Sequence, residues 1–398
     1  MISLFPATRS EGQRRLSAFV PHAGSDYALG RNTDTGPDGH AHVSLLSPYL
    51  RHQLITGREL VQAVLDQHSL SAAEKYVQEV LWRTYWKGWL EMRPGVWVRF
   101  AAERDQMRDS FPNARAITAA ETGMTGIEGF DDWARELVET GYLHNHARMW
   151  FASIWIFTLR LPWALGADFF LRHLIDADAA SNTLSWRWVA GLQTVGKTYL
   201  ATAENIARFT NGRFAPRGLA REAVALVEQP LAAPRALPDA GVIDVNQPSL
   251  LLVTPEDLNP ESLIANGLPI NAALIVADEK LLWGEASRHF VRAAAAGDAA
   301  ARVRTHFECA TNEAPTLDAD TLIAAAHSAK AKQIVTPYAP VGPVADALTR
   351  IAPLLAREGI ALTQVRRDWD TRFWAHAKKG FFPFREQIPT TLAQFRIT

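Results

Sequence analysis

Cysteine is nearly absent: Cys309 stands alone in 398 residues. That excludes an intrachain disulfide and a thiolate-bound zinc or iron–sulfur cluster. A reducing, cytoplasmic setting is the default expectation for such a chain. An excess of charge is lacking too. The 41 Lys and Arg are matched by 42 Asp and Glu, for a formal net charge of −1. No overall basic field draws nucleic acid, so any such contact has to come from a local groove. No apolar run reaches the ~20 residues of a membrane span. The opening MISLFPATRSEGQRR has no sustained apolar core, so it does not read as a secretory leader. Neither G-x-G-x-x-G nor a P-loop occurs, which removes the dinucleotide and NTP fingerprints. What the sequence has in plenty is tryptophan, 13 in all.

The length predicts two or three domains, and the pattern changes once along the chain. Residues 40–210 show helical periodicity and no strand pattern. Helices are expected over Arg58–Gln67, Ala72–Leu90, Phe130–Glu139 (stopped by Gly141) and Thr198–Thr210. Tyr27–Pro37 reads as an exposed loop and Pro94–Phe111 as irregular and charged. His40 and His42 read as loop residues, because no further metal ligand is near them in sequence. In SLLSPYLR, Ser47 before Pro48 fits an N-cap followed by a first-turn proline, a helix start whose free N–H groups can hold a phosphate. A Pro- and Ala-rich linker then precedes alternating strands and helices. Strands are expected at Leu250–Thr254, Ala272–Ala277, Val303–Glu308, Gln333–Thr336 and Leu362–Val365, which implies a parallel sheet. The fold expected is a two-domain α/β protein. A helical domain (1–228), a linker (229–248) and a Rossmann-like α/β domain (249–398) follow one another. The aromatic and basic tail TRFWAHAKKGFFPFREQIP could pack back on the helical domain or contact nucleic acid.

Chemistry concentrates between Glu139 and Trp188. An apolar helical run (Trp150–Leu161) is bracketed there by His144, Asn145, Arg148, Asp176, Asp178 and Asn182. Buried charges come paired or bound to a ligand, so acids on one segment and Arg148 on another point to a closed polar pocket. Trp186 and Trp188 beside it suggest a large planar ligand or electron traffic. On the preceding long helix, Glu79, Trp82, Arg83 and Trp86 share one face. That face reads either as a solvated ion-pair face or as the wall of a cleft.

Four ordered segments carry a family resemblance: SLLSPYL, EVLWRTYW, TGYLHNHARM and LIDADAASNTLSWRW. The stretch from about Tyr27 to Thr210 resembles the FAD-binding domain of the photolyase/cryptochrome superfamily. The resemblance implies FAD as cofactor. Tyr27, Ser44, Leu45, Leu46 and Ser47 would line it, with Ser44 and Ser47 at the diphosphate and Arg83 adding charge there. It implies that Arg148 and Asp176 pair against the flavin ring, that Asp178 lies near its carbonyl edge, and that Asn182 faces N5. Trp186 and Trp163 match the inner members of the family's electron-transfer chain, and Ser110 falls where the outermost would be. Glu79, Trp82, Asn145 and Met149 match the cleft of relatives that repair cyclobutane dimers, with Trp82 and Trp188 as flat walls around a flipped-out dimer. The function implied is blue-light-driven repair of UV-damaged DNA. The alternative is a cryptochrome-like photoreceptor without repair. The family places its α/β domain first, whereas here it comes second. An antenna role for that domain, with a second chromophore of undetermined kind, is implied by analogy only.

Overall fold

The computed structural model describes residues 4–37 and 39–397. Up to residue 209 its regular elements are helical: α1 (Arg9–Phe19), α2 (Ser25–Gly30), α3 (Ser47–Arg51), α4 (Gly57–Leu65), α5 (Glu74–Glu91), α6 (Gly95–Ser110), α7 (Ala114–Glu121), α8 (Phe130–Thr140), α9 (Asn145–Ser153), α10 (Trp163–His173), α11 (Ala179–Val189) and α12 (Ala203–Phe209). Local chemistry sets their ends. Thr56 and Glu59 close a capping box at the start of α4. Gly141 stops α8 in the left-handed region, at φ 70°. The His144 side chain accepts the His146 N–H at the head of α9, and Asp178 accepts the Ser181 N–H at the head of α11. Beyond α9 a π-helical turn (Ile154–Thr158) carries Ile154, Trp155 and Ile156 into the core.

The second part alternates β1 (Ser249–Val253), β2 (Ile270–Val276), α13 (Glu285–Arg292), α14 (Ala300–Phe307), β3 (Ala310–Ala314), α15 (Ala319–Ser328), β4 (Gln333–Pro337), α16 (Pro343–Arg357) and β5 (Ala361–Val365). The five strands form one parallel sheet in the order β3-β2-β1-β4-β5. Side chains alternate across it. Leu250, Leu252, Leu274 and Ile334 pack with Leu322 of α15 and with Leu348 and Leu355 of α16. Leu251, Val253, Ala273, Ile275 and Val335 join the core of the helical layer. The chain then returns to the helical layer through α17 (Asp368–Trp374), α18 (Phe381–Glu386) and α19 (Ile388–Gln394). The tail packs back on the helical layer, as the first of its two readings expects. Trp369 donates to Thr84 (3.3 Å), and the Tyr85 hydroxyl donates to the Lys379 carbonyl (2.9 Å). Gly88 lets α17 approach α5, since a Cβ there would lie 2.8 Å from the Trp374 Cα.

The linker carries no regular element, yet it is strapped down. The Gln229 carbonyl accepts from Arg99 (2.7 Å), the Arg235 N–H donates to Met92 O, and the Gly241 N–H donates to Gln364 O. The switch point between β1 and β4, where open α/β sheets hold ligands, is turned onto α5. There the buried Glu91 carboxylate accepts from the Tyr338 hydroxyl (2.8 Å) and the Val341 N–H (2.6 Å).

Several expectations are corrected. Residues 95–110 form helix α6 rather than an irregular stretch. Only Val96, Trp97 and Phe100 of α6 are buried, so the sequence lacks an apolar stripe there. Val303–Glu308 is no strand. It falls mostly in α14, and the strand follows at Ala310–Ala314, a largely exposed edge. Tyr27–Pro37 is not an exposed loop: it contains most of α2 and buries Asp34, which accepts from Trp133 and Arg213. His40 is buried, with its Nε2 3.3 Å from Glu136. The α3 helix begins at Ser47 with Leu46 as cap residue and no side-chain cap. At five residues it offers no helix-terminal phosphate site. No described helix is long and apolar enough to cross a membrane.

Candidate functional site

Helix α5 is the spine of the site. Its Glu79 accepts hydrogen bonds from Asn145 Nδ2 (3.2 Å) and Arg31 Nη1 (3.2 Å). Asn145 opens α9, and Met149 lies one turn further along the same helix, half-buried. Burial pushes the Glu79 carboxyl above its ordinary pKa, and Arg31 pulls it back. Arg31 was not among the expected residues. It comes from the loop after α2, and no local pattern links it to Glu79.

One turn on, Arg83 faces the acids that precede α11. Asp176 accepts a two-pronged contact from Arg148 Nη1 and Nη2, 3.2 Å each, and Arg83 lies 3.8 Å away. Arg148 is steadied by donating Nε to the Leu143 carbonyl (2.8 Å). Asp178 lies 3.4 Å from Lys87, 3.6 Å from Arg83 and 3.9 Å from Arg51. Burial alone would raise both carboxyls. Arg148 and Arg83 hold Asp176 below its ordinary range, and Lys87, Arg83 and Arg51 hold Asp178 well below it. Arg83 therefore meets the acids, where the resemblance implied a diphosphate. Lys87 and Arg51 were also missed. Lys87 follows Arg83 by four residues on α5, so its position was readable from helical spacing. Arg51, at the end of SLLSPYLR, has no local signal for its role, because its bidentate partner Glu256 (2.8 and 2.8 Å) lies far along the chain.

Buried polar atoms are left over around this cluster. Arg83 Nη1 and Ser181 Oγ have no hydrogen-bond partner among the described residues, while the Ser47 hydroxyl faces Asp176. Leu45 sits at φ 54°, a conformation uncommon for a residue with a side chain. A free buried hydroxyl, a guanidinium with only long contacts and a strained backbone fit a ligand that accepts hydrogen bonds. Asn182 donates Nδ2 to the Ala167 carbonyl (2.9 Å), which fixes its amide. Tyr27 is buried edge-on to Tyr76 (4.8 Å). Ser44 is half-buried, whereas the Leu46 side chain belongs to the core and leaves only its backbone for a ligand.

The aromatic residues divide into separate groups. Trp186 stands edge-on to Phe170 (5.1 Å) and Trp155 (6.3 Å). Trp163 leans on Phe100 (5.6 Å), which leans on Trp97 (5.4 Å). Trp188 stacks on Tyr199 (5.6 Å). Trp82 stacks on Phe381 of α18 at 3.6 Å and 11°. Surface hollows lie elsewhere. One of about 390 Å³ is lined by Arg108, Phe111, Leu165 and Arg172, close in sequence to the exposed Ser110. Another of about 420 Å³ is lined by Glu74, Gln78, Arg385 and Ile388. No cluster of metal-ligating side chains is present among the described residues.

Residues 76–213 match the family described as the FAD binding domain of DNA photolyase. A deoxyribodipyrimidine photo-lyase of Streptomyces griseus is 33% identical over 184 residues, 46% of this chain and 39% of the relative. One from Synechococcus is 31% identical over 192 residues, 44% of this chain and 37% of the relative. The matched stretch thus spans about two fifths of these relatives' length. Among solved structures, a bacterial class III photolyase from Agrobacterium tumefaciens is similar at TM-score 0.44 and 26% identity, covering 51% of this chain and 43% of that one. A Synechocystis cryptochrome is similar at TM-score 0.45 and 23% identity, covering 52% and 44%.

Proposed function

We propose that this chain, whose helical region belongs to the photolyase/cryptochrome superfamily, binds FAD beside α5, α9 and α11 and splits cyclobutane pyrimidine dimers in UV-damaged DNA under blue light. The helical domain is taken as residues 1–228 and the α/β domain as 249–398. The observation that carries the reading is the 3.2 Å contact of Glu79 with Asn145, which joins two segments expected to line one cleft. Reduced FAD, when bound, supplies the photo-excitable electron that the redox-neutral opening of a dimer requires, and takes it back.

The chain's own residues would then act as follows. Ser44, Ser47 and the backbone of Leu45 and Leu46 bind the cofactor's phosphate side, and Tyr27 closes that end. The Arg148–Asp176 pair, Asp178 and the fixed amide of Asn182 orient its ring. Arg83 keeps the two acids charged. Glu79 and Asn145 hold the lesion by hydrogen bonds, with Met149 filling the space beside them. Burial raises the Glu79 pKa while Arg31 pulls it back, and its carboxyl oxygens take the hydrogen bonds that fix the lesion's edge beside Asn145. Trp188 offers a flat face to a flipped-out base, and Trp186 starts the internal electron path, with Trp163 next.

The test is loss of dimers from dimer-containing DNA when the fully reduced protein is illuminated. Glu79→Ala should slow that loss and keep its FAD. Dimers that persist under full reduction would sink the repair reading. A photoreceptor without repair is favoured by one observation: Trp82 already has Phe381 stacked on it. Persistent dimers with weak, salt-insensitive DNA binding would select that reading. An extra near-ultraviolet band in the absorption spectrum would reveal a second chromophore.

A further inference from the structure

The tail buries its aromatic side chains with one exception. Phe381, Phe384, Ile388 and Leu392 are buried, yet Phe382 is 71% exposed. It is the one aromatic among the exposed large hydrophobic side chains of the described residues. Its support is firm. Phe381 stacks on Trp82, and Phe384 lies 5.3 Å from Tyr85. The Lys378 and Lys379 carbonyls accept from Arg93 (2.7 Å) and Tyr85 (2.9 Å). The ring is therefore presented outward from an anchored segment.

Its surroundings are basic in a chain of net charge −1. Lys378 and Lys379 are exposed, and the Arg385 guanidinium lies 5.4 Å from the Phe382 ring centre. Glu386 and Glu74 are the acids nearby, Glu74 lining the same hollow as Arg385 and Gln78. Phe381, next to Phe382, stacks on Trp82, which shares a face of α5 with Glu79, so the patch borders the cleft. A lone ring among cations suits a base and its phosphates. Stacking on a π-face is sequence-tolerant, and Lys and Arg track the backbone.

We propose that Lys378–Arg385 is a second contact for single-stranded or locally unpaired DNA, with Phe382 stacking on a base and Lys378, Lys379 and Arg385 meeting phosphates. It rests on the reading of the chain as a DNA-acting photolyase relative, but needs neither a dimer nor light. The test is fluorescence anisotropy of a labelled, undamaged single-stranded oligonucleotide titrated with the full-length, flavin-loaded protein at several salt concentrations. Phe382→Ala should weaken binding roughly tenfold and Phe382→Trp should bind as the parent does, since a base gains about that much from one aromatic face. Lys378→Ala with Lys379→Ala should flatten the slope of log affinity against log salt by about 1.4. Parental affinity in Phe382→Ala, or an unchanged salt slope in the double variant, overturns the proposal. So does a changed oligomeric state in Phe382→Ala at unchanged DNA affinity, which would make the ring a protein contact. Dimers lost at the parental rate with Phe382→Ala at parental affinity would sink this contact alone. The predicted binding effects without any loss of dimers would sink the repair reading and leave this contact standing.

Discussion

Around Asp176 and Asp178 the helical layer keeps buried polar atoms unpartnered, among them Arg83 Nη1 and Ser181 Oγ. At the carboxyl ends of β1 and β4 the same kinds of group are used up. Glu256 takes Arg51, Asp257 takes Arg367 (2.7 and 2.9 Å), and Glu91 takes Tyr338 and Val341. Exceptions remain on that side: both side-chain atoms of buried Asn259, Glu261 Oε2 and Trp374 Nε1 have no partner among the described residues. The contrast separates two uses of buried polarity. Charges that fasten two layers pair off completely, because an unpaired buried charge costs several kcal/mol. Around Asp176 and Asp178 the acids are paired too, and what stays unpartnered is a hydroxyl and one guanidinium nitrogen, the groups that the proposed flavin would meet.

The largest effect should come from breaking the fastening. Arg51→Met leaves Glu256 buried and unpaired, and should lower unfolding stability by about 3–5 kcal/mol. Adding Glu256→Leu should restore most of it. Urea titration measures both, and a loss below about 1 kcal/mol in the single variant would remove the interface from the comparison. On the other side, Asp176→Asn takes from Arg148 its charged partner. Flavin retention should weaken by about 10- to 100-fold with a smaller change in stability, read from the flavin-to-protein absorbance ratio. Retention equal to the parent's would mean that the cluster is structural.

Asp370 gives a pH test at the layer boundary. Burial raises its pKa to about 6, against the pull of Lys87 and Arg367. The folded chain therefore holds a proton there that the unfolded chain releases above its lower pKa. Stability is lost as pH rises through about 6, and none is lost below the unfolded value. Asp370→Asn should gain about 1 kcal/mol at pH 8, discounted for the residue's partial exposure, and nothing at pH 4. A gain at both would assign the effect to packing. Trp186→Phe trims a buried ring system and should cost about 1–2 kcal/mol, yet it should abolish light-driven flavin reduction. Unchanged photoreduction would deprive Trp186 of its electron role. Comparing Trp163→Phe with Trp155→Phe then decides whether the path runs by the motif position or by the ring that Trp186 meets edge-on.

Legibility followed the range of each signal. α5 and the head of α9 were readable because helical spacing and caps act within a turn or two. β3 was not: ATNEA is an exposed edge without alternation, while Val303, Thr305 and Phe307 alternate by accident at the end of a helix. α6 buries too few side chains to leave a stripe.

The sequence by itself determined the two layers, the parallel sheet and the order of the motif residues along their helices, because periodicity and short motifs are local. Tertiary structure alone decided that Arg31 reaches Glu79, that Glu256 holds Arg51 and that Phe381 covers Trp82. Those partners are joined by burial and charge across long stretches of chain, and such pairings leave no mark on the residues next to them in sequence.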